Sequence, residues 1–325
     1  FACREILLPL RHFTLCMSDP KVIFIGGHGR SGTTILDRVL SEFIGGFSAG
    51  EVHRFWKYGL TEGWKCSCQS TLRNCKFWGT VLPRVFSKTS YSERDVLEMW
   101  RTVARPQTLP FLRYPSIRPS GFRRKLENYR TFLGAFYRTV AEQAETNTIV
   151  DSSGSPLHGY VLSGLRNVDV DMIHLVRDVR AVAYSNRRRK PNPSSPFPNA
   201  TTATKSTLRV AATWTLYNAI LDGLGRDFSK SLFAKYEELF SEPRSSLCHL
   251  ARRLSDPDTA RESIFKTEQK VELGPHHSGQ GNPVRYQTGQ ITLEVDSEWK
   301  SGMSESRKGL LKTICYPMLR KYRYE

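Results

Sequence analysis

The hydrophobic pattern changes period repeatedly along the chain. KVIFIGG at 21–27 is a short apolar run closed by glycines, the pattern of a strand buried on both faces. In TTILDRVLSEF, directly after it, Ile35, Leu36, Val39, Leu40 and Phe43 recur at helical spacing. The same switch returns downstream. TIV at 148–150 predicts a second buried strand, and Ser155 with Pro156 predicts a capped helix start over PLHGYVLSGL. VDMIHLV predicts a third strand with a helix over DVRAVAYSNRRR behind it. SLFAKY reads as a further strand, and LRVAATWTLYNAILDGL and EPRSSLCHLARRL as helices. A longer helix is expected over 127–145, where Tyr129, Phe132, Leu133, Phe136, Tyr137 and Val140 recur at helical spacing. Strands alternating with helices imply an α/β fold of phosphate-loop NTPase type: a parallel sheet flanked by helices on both faces.

Between these elements lie stretches of another character. Residues 1–19 read as an irregular lead-in. No linker divides 20–325, so one domain is expected, with cap or lid insertions near 60–125 and 186–206. Within the first insertion, 86–125 is basic and proline-punctuated and suits a connection or cap; the second holds KPNPSSPFPNATTATKS, a loop. GPHHSGQGNPVRYQTGQ is another long polar loop. The 325 residues suffice for one large core plus a cap, and 39% hydrophobic residues exclude a disordered chain. No apolar run reaches the roughly 18 residues of a membrane helix. The first residue is Phe1. A cytoplasmic protein is expected, with the Golgi lumen as the alternative if a preceding segment anchors the chain to a membrane.

The charge of +17, from 48 basic and 31 acidic residues, favours an anionic partner. The basic stretch 187–190 adds to it, although such runs commonly form a solvated face. Seven cysteines are too few, and odd in number, for a disulfide scaffold. Cys66, Cys68 and Cys75 cluster in WKCSCQSTLRNCKFW. A zinc site needs a fourth ligand, for which His53 is the nearest candidate, and a single residue between Cys66 and Cys68 is unusual spacing. A local disulfide or unpaired thiols are expected there, and no metal.

GGHGRSGTT lies between the first strand and the first helix. Backbone N–H groups of such a loop converge on an anion, and the helix N-terminus adds positive potential. Gly27, four residues, Gly32, then Thr33 and Thr34 nearly repeats the phosphate-loop pattern. Thr33 stands where a nucleoside triphosphatase carries the lysine for its terminal phosphates, which disfavours ordinary ATP or GTP chemistry. Here the cation comes earlier, from Arg30.

The segment GRSGTT resembles the 5′-phosphosulfate loop of the sulfotransferases that use 3′-phosphoadenosine 5′-phosphosulfate (PAPS), of bacterial, carbohydrate and protein-tyrosine type. The resemblance runs from about residue 21 to the C-terminus. It implies PAPS as co-substrate, without a metal, held by Gly29, Arg30, Ser31, Gly32, Thr33 and Thr34. It also implies that Arg177, ending the third strand, and Ser185 on the next helix grip the 3′-phosphate. A guanidinium fork and a hydroxyl suit a phosphate dianion. GNPVR at 281–285 is similar to a segment that closes over the nucleotide in these proteins, so Arg285 is a further candidate for the 3′-phosphate. KYEEL is similar to the segment near the adenine, with Tyr236 as the contact.

On the acceptor side, GEVHRF follows the helix after the loop. Protein-tyrosine and carbohydrate sulfotransferases place a glutamate base there. Glu51 matches it, and His53 is the second candidate base; Arg30 would stabilise charge on the leaving phosphate. One position departs from the pattern. Many relatives read DSSKxP after the second strand, whereas this chain reads DSSGSP, with Gly154 in place of the lysine. Gly154 is expected on the strand-to-helix loop, where restoring a lysine would raise the rate. Asp151 occupies a position that could suit magnesium, and none is assigned. Asn199-Ala-Thr201 is a glycosylation sequon. The expected function is transfer of a sulfuryl group to a hydroxyl or amine of a small molecule or glycan, with no nucleic acid involved. The alternatives are a small-molecule kinase and a catalytically weak anion-binding protein on the same scaffold.

Overall fold

The computed structural model describes residues 19–255 and 260–325. The expected lead-in over 1–19 therefore lies, apart from Asp19, outside the described residues. The chain opens with β1 (Lys21–Gly26), α1 (Thr33–Phe43) and β2 (Phe47–Gly50). An inserted helical layer follows: α2 (Trp78–Thr89), α3 (Glu93–Val103), the short α4 (Leu109–Arg113) and the long α5 (Ser120–Ala144). The sheet resumes with β3 (Thr148–Gly154), α6 (Pro156–Leu162), β4 (Asp169–Val176), α7 (Val179–Arg187), α8 (Thr207–Leu224) and β5 (Ser231–Lys235). Then come α9 (Tyr236–Ser241), α10 (Pro243–Leu254), a hairpin of β6 (Lys270–Leu273) and β7 (Gly289–Thr292), α11 (Trp299–Gly302) and α12 (Glu305–Lys321).

The five-stranded sheet is parallel throughout, in the order β2-β3-β1-β4-β5. This is the α/β arrangement of a phosphate-loop protein, as the alternation of periods predicts. Side chains of β1 divide by parity. Val22 and Phe24 join the core beneath α5, with Phe132 and Phe136, while Ile23 and Ile25 pack under α1 and α10, with Leu36, Leu40 and Leu250. Each such side chain, fully buried, contributes on the order of 1.5–3 kcal/mol. A third cluster, around Val182, Trp214 and Leu311, binds α7, α8 and α12 together. Because β1 is flanked by β3 and β4, the chain departs to both sides of it, and a crevice opens beyond its carboxyl end.

Four features differ from the sequence-based expectation. Residues 86–125 carry helices rather than a plain connection: Ser92 and Asp95 form a reciprocal capping box that starts α3. Helix α5 begins at Ser120, seven residues earlier than the periodicity predicts, burying Phe122 and Leu126. Strand β3 continues through Asp151, Ser152 and Ser153 to Gly154, because these polar groups find buried partners. The long polar loop near 274–290 is packed into the protein, with Ser278, Gln280 and Arg285 buried.

Candidate active site

Two adjoining clefts open at the carboxyl edge of the sheet. The larger, about 570 Å³, is lined by Gly29, Arg30, Gly32, Thr33, Thr34, Arg177, Ser185 and Tyr236. Four separate segments thus bring most of the expected anion-binding residues to one place. Glycine is required at two points of the first segment. Gly32 has φ +94° and a Cβ there would meet the Tyr236 ring at 2.6 Å; a Cβ at Gly27 would meet the Leu175 carbonyl oxygen at 2.7 Å. Helix α1 starts at Thr33 with no side-chain cap and no acid in its first turn, so its N-terminal potential is uncompensated by the chain's own groups. Ser31 is buried beside it with an unpartnered Oγ.

Cations crowd this cleft. Arg30 has no carboxylate partner among the described residues; its only side-chain bond is to the Ser185 carbonyl, at 3.4 Å. Burial, then the charges of Arg188 and Arg177, lower its pKa, which is the signature of a cation that an anion would relieve. Arg177 donates to the Arg30 carbonyl at 3.2 Å and lies over the Tyr236 ring, 4.2 Å from its centroid. Its other terminal nitrogen meets the Asp296 carboxylate at 3.1 Å.

Arg285 is placed otherwise than expected. The GNPVR segment does reach the cleft: Asn282 N–H donates to Thr34 Oγ1 at 3.4 Å, and Asn282, Pro283 and Val284 line it. The Arg285 side chain turns away. It is fully buried and donates to the carbonyl oxygens of Ser278, at 2.6 Å, and Lys65, and to Ser194 Oγ and the Tyr286 hydroxyl. It joins three segments of chain instead of facing a ligand.

The smaller cleft, about 330 Å³, shares Gly29, Thr33, Glu51, Arg54, Tyr58 and Lys205 with the larger one. Glu51, just past β2, receives Arg54 Nε at 3.0 Å, and its own N–H donates to the Gln280 carbonyl at 2.9 Å. His53 lines only the smaller cleft; its pKa lies well below the ordinary value through burial, then the charges of Arg54 and His158. The neutral ring leaves Nδ1 unpartnered.

Sequence reasoning missed a buried network beside these residues. His158 Nε2–H donates to Asp151 Oδ2 at 2.9 Å, and the Tyr137 hydroxyl to the same oxygen at 2.6 Å. Ser153 bonds Asp151 Oδ1 through its N–H at 2.8 Å and through Oγ, which also accepts the His53 N–H at 3.0 Å. Burial pushes the Asp151 carboxyl up, but His158, Ser153 and Tyr137 outweigh it and hold the pKa below the usual carboxylate range. The Asp151 carboxylate thereby orients the His158 ring. The only sequence signal was Asp151 at a strand end and His158 in the first turn of the next helix.

Gly154 corrects an expectation. It is the last residue of β3, not a loop residue, at φ +68°, and a Cβ there would meet the Gly27 carbonyl oxygen at 2.8 Å. The position favours glycine. A cation reaches the junction from elsewhere: Lys205, in the 186–206 insertion, lines both clefts. Burial, then Arg54 and Arg209, lower its pKa.

Fold and clefts together define an α/β protein of phosphate-loop type. No family model matches the chain, and no curated protein matches it. No described helix is long and apolar enough to cross a membrane.

Proposed function

We propose that this chain is a sulfotransferase that moves a sulfuryl group from PAPS to a hydroxyl or amine, in a small-molecule or carbohydrate acceptor. One observation carries the reading: Gly29, Arg30, Gly32, Thr33, Thr34, Arg177, Ser185 and Tyr236 line a single cleft that adjoins a second one across Glu51. The larger cleft suits the nucleotide. Loop amides, Arg30 and the start of α1 would hold the 5′ side, Arg177 and Ser185 the 3′-phosphate, and Tyr236 the base. The smaller cleft suits the acceptor, whose proton Glu51 would take. His158 and His53 are the other bases within that cleft. Lys205 would supply the charge that Gly154 does not.

The test is selectivity followed by turnover. The 3′-phosphorylated nucleotide 3′,5′-ADP should raise the melting temperature well above the shifts given by 5′-AMP or ATP. Labelled PAPS should then pass its sulfuryl group to one of a panel of phenols, amines and sugars. Equal shifts from 3′,5′-ADP and 5′-AMP would remove the reading. The second reading is a catalytically weak nucleotide-binding protein on this scaffold, which the constrained glycine at 154 favours; selective binding without turnover on any acceptor would establish it. ATP- and magnesium-dependent phosphoryl transfer would establish a kinase instead.

A further inference from the structure

Away from both nucleotide and acceptor residues, Cys66, Cys68, Cys75 and His277 bring their four ligand atoms within 4.8 Å of one another. We propose that these residues form a structural zinc site of Cys3His type. The expected fourth ligand, His53, lies instead in the smaller cleft; the fourth ligand comes from the polar loop 202 residues after Cys75.

The distances fit a metal better than a disulfide. Cys75 Sγ lies 3.6 Å from Cys68 Sγ, 3.7 Å from Cys66 Sγ and 3.2 Å from His277 Nδ1. A disulfide would need about 2.05 Å. Bonds of about 2.3 Å to sulfur and 2.0–2.1 Å to nitrogen give tetrahedral edges of about 3.8 Å between sulfurs and about 3.5 Å from sulfur to nitrogen. The edges around Cys75 are thus already close to those of a zinc tetrahedron. The widest separation need close by only about 1 Å.

The surroundings orient the ligands. Cys66 N–H donates to the Ser70 carbonyl at 2.8 Å and Gln69 N–H to the Cys66 carbonyl at 2.9 Å, with Gln69 at φ +67°, so the chain turns tightly between the cysteines. Trp78 Nε1 donates to the His277 carbonyl at 2.6 Å, and the Phe77 ring stacks on the His277 ring. Ser67 clamps the two segments: its N–H reaches the Ser278 carbonyl at 3.0 Å and its Oγ the His276 carbonyl at 2.7 Å.

A buried cation supplies an independent argument. Arg285 is fully buried, and none of the ion pairs among the described residues includes it. Its guanidinium sits on the carbonyls of Lys65 and Ser278, the residues next to Cys66 and His277. Three thiols that release their protons to solvent on binding Zn²⁺ leave a site of net charge −1. That is the counter-charge a buried arginine lacks here. With all four positions filled by protein, the site is of the closed, structural kind. It would pin the insertion to the loop whose Gln280 carbonyl holds the Glu51 N–H and whose Asn282 meets Thr34.

The test uses the whole chain, purified under reducing conditions without chelator. Native mass spectrometry should show one zinc per chain, released by a chelator with a lowered melting temperature. Cobalt(II) exchanged into the site should give the intense visible bands and thiolate charge-transfer absorption of tetrahedral thiolate coordination. Cys68 is exposed, so Cys68→Ser should fold and bind cobalt at least about tenfold more weakly; His277→Cys should retain metal with a spectrum shifted toward four sulfurs. A metal-free protein carrying a disulfide among these cysteines, whose reduced form gives cobalt only the pale spectrum of the hydrated ion, would overturn the site. Neither outcome depends on the reading of the two clefts.

Discussion

The two clefts share a floor and differ in their walls. The larger takes its anion-facing side from ends of the sheet, namely the turn after β1, Arg177 just past β4 and Tyr236 just past β5, and is closed opposite by residues of the 186–206 insertion and of 281–296. The smaller takes most of its wall from inserted chain, including Trp100, Val103 and Pro106, and from the end of β3 with Ser155, which caps α6. Positions fixed by a parallel sheet hold groups for a ligand part that does not vary, such as a phosphate. Positions on insertions can be remodelled without disturbing the sheet, which suits recognition of a variable partner.

If that division is right, removing the proton acceptor in the smaller cleft should damage turnover and spare nucleotide binding. Glu51→Gln should lower turnover by about 10²-fold or more, with the 3′,5′-ADP affinity nearly unchanged. Full turnover in that variant, with loss in His158→Asn, would move the role to the Asp151–His158 pair. A pH–rate profile of both variants would show which limb disappears. In the larger cleft, Arg177→Ala should cost about 1.5–3 kcal/mol of 3′,5′-ADP affinity and leave 5′-AMP binding little changed, as titration calorimetry can measure. A parallel loss for both nucleotides would break the assignment of Arg177 to the 3′-phosphate.

The core behind the smaller cleft can be probed by pH. Asp37 of α1 is fully buried, accepts from Ser152 Oγ at 2.7 Å, and burial pushes its pKa up to about 7 despite Ser152 and Ser48. Its folded pKa lies above the unfolded value, so between about pH 4 and 7 the folded state binds more protons and stability falls as pH rises. Asp37→Asn should remove a fall of about 2 kcal/mol between pH 5 and 7, seen as flatter denaturation midpoints. The smallest effect is expected at Gly154. Gly154→Ala should destabilise by about 1–2 kcal/mol, through its left-handed backbone and the contact with Gly27. Gly154→Lys should lose stability likewise and gain no turnover; a stable, faster lysine variant would show that the cleft lacks a cation after all.

The division between the clefts also explains what the sequence made legible. The turn after β1 was legible from its own glycines between a buried strand and a helix, whereas Arg177, Ser185, Tyr236 and Glu51 were marked by the resemblance alone. Each lies just past a strand or on the helix behind one, and so at the carboxyl edge of the sheet; β2, which precedes Glu51, carried no readable strand pattern. His158 and Lys205 were not marked, since their proximity to Glu51 depends on how α6 and an irregular insertion pack in three dimensions. The run DSS looked like the exit from a strand because three polar residues in a sheet core are expected only where Tyr137, His158 and Asp37 wait for them. Arg285 was assigned to a ligand by its motif. Its actual partners are backbone carbonyls from distant segments, and nothing in a local pattern marks such acceptors. The companion of the three cysteines escaped for the same reason, being 202 residues away from Cys75.

The Arg177–Asp296 pair carries a last consequence. The arginine that faces the larger cleft already holds a carboxylate from its own chain, at 3.1 Å. A tethered carboxylate competes at an effective concentration in the millimolar range or above. Monovalent or weakly binding anions from solution rarely outcompete such a resident. A dianion that also engages neighbouring donors can, so the pair sets a threshold: in a protein of charge +17 it disfavours filling of this cleft by whatever anion is abundant, and it can re-form whenever the cleft empties.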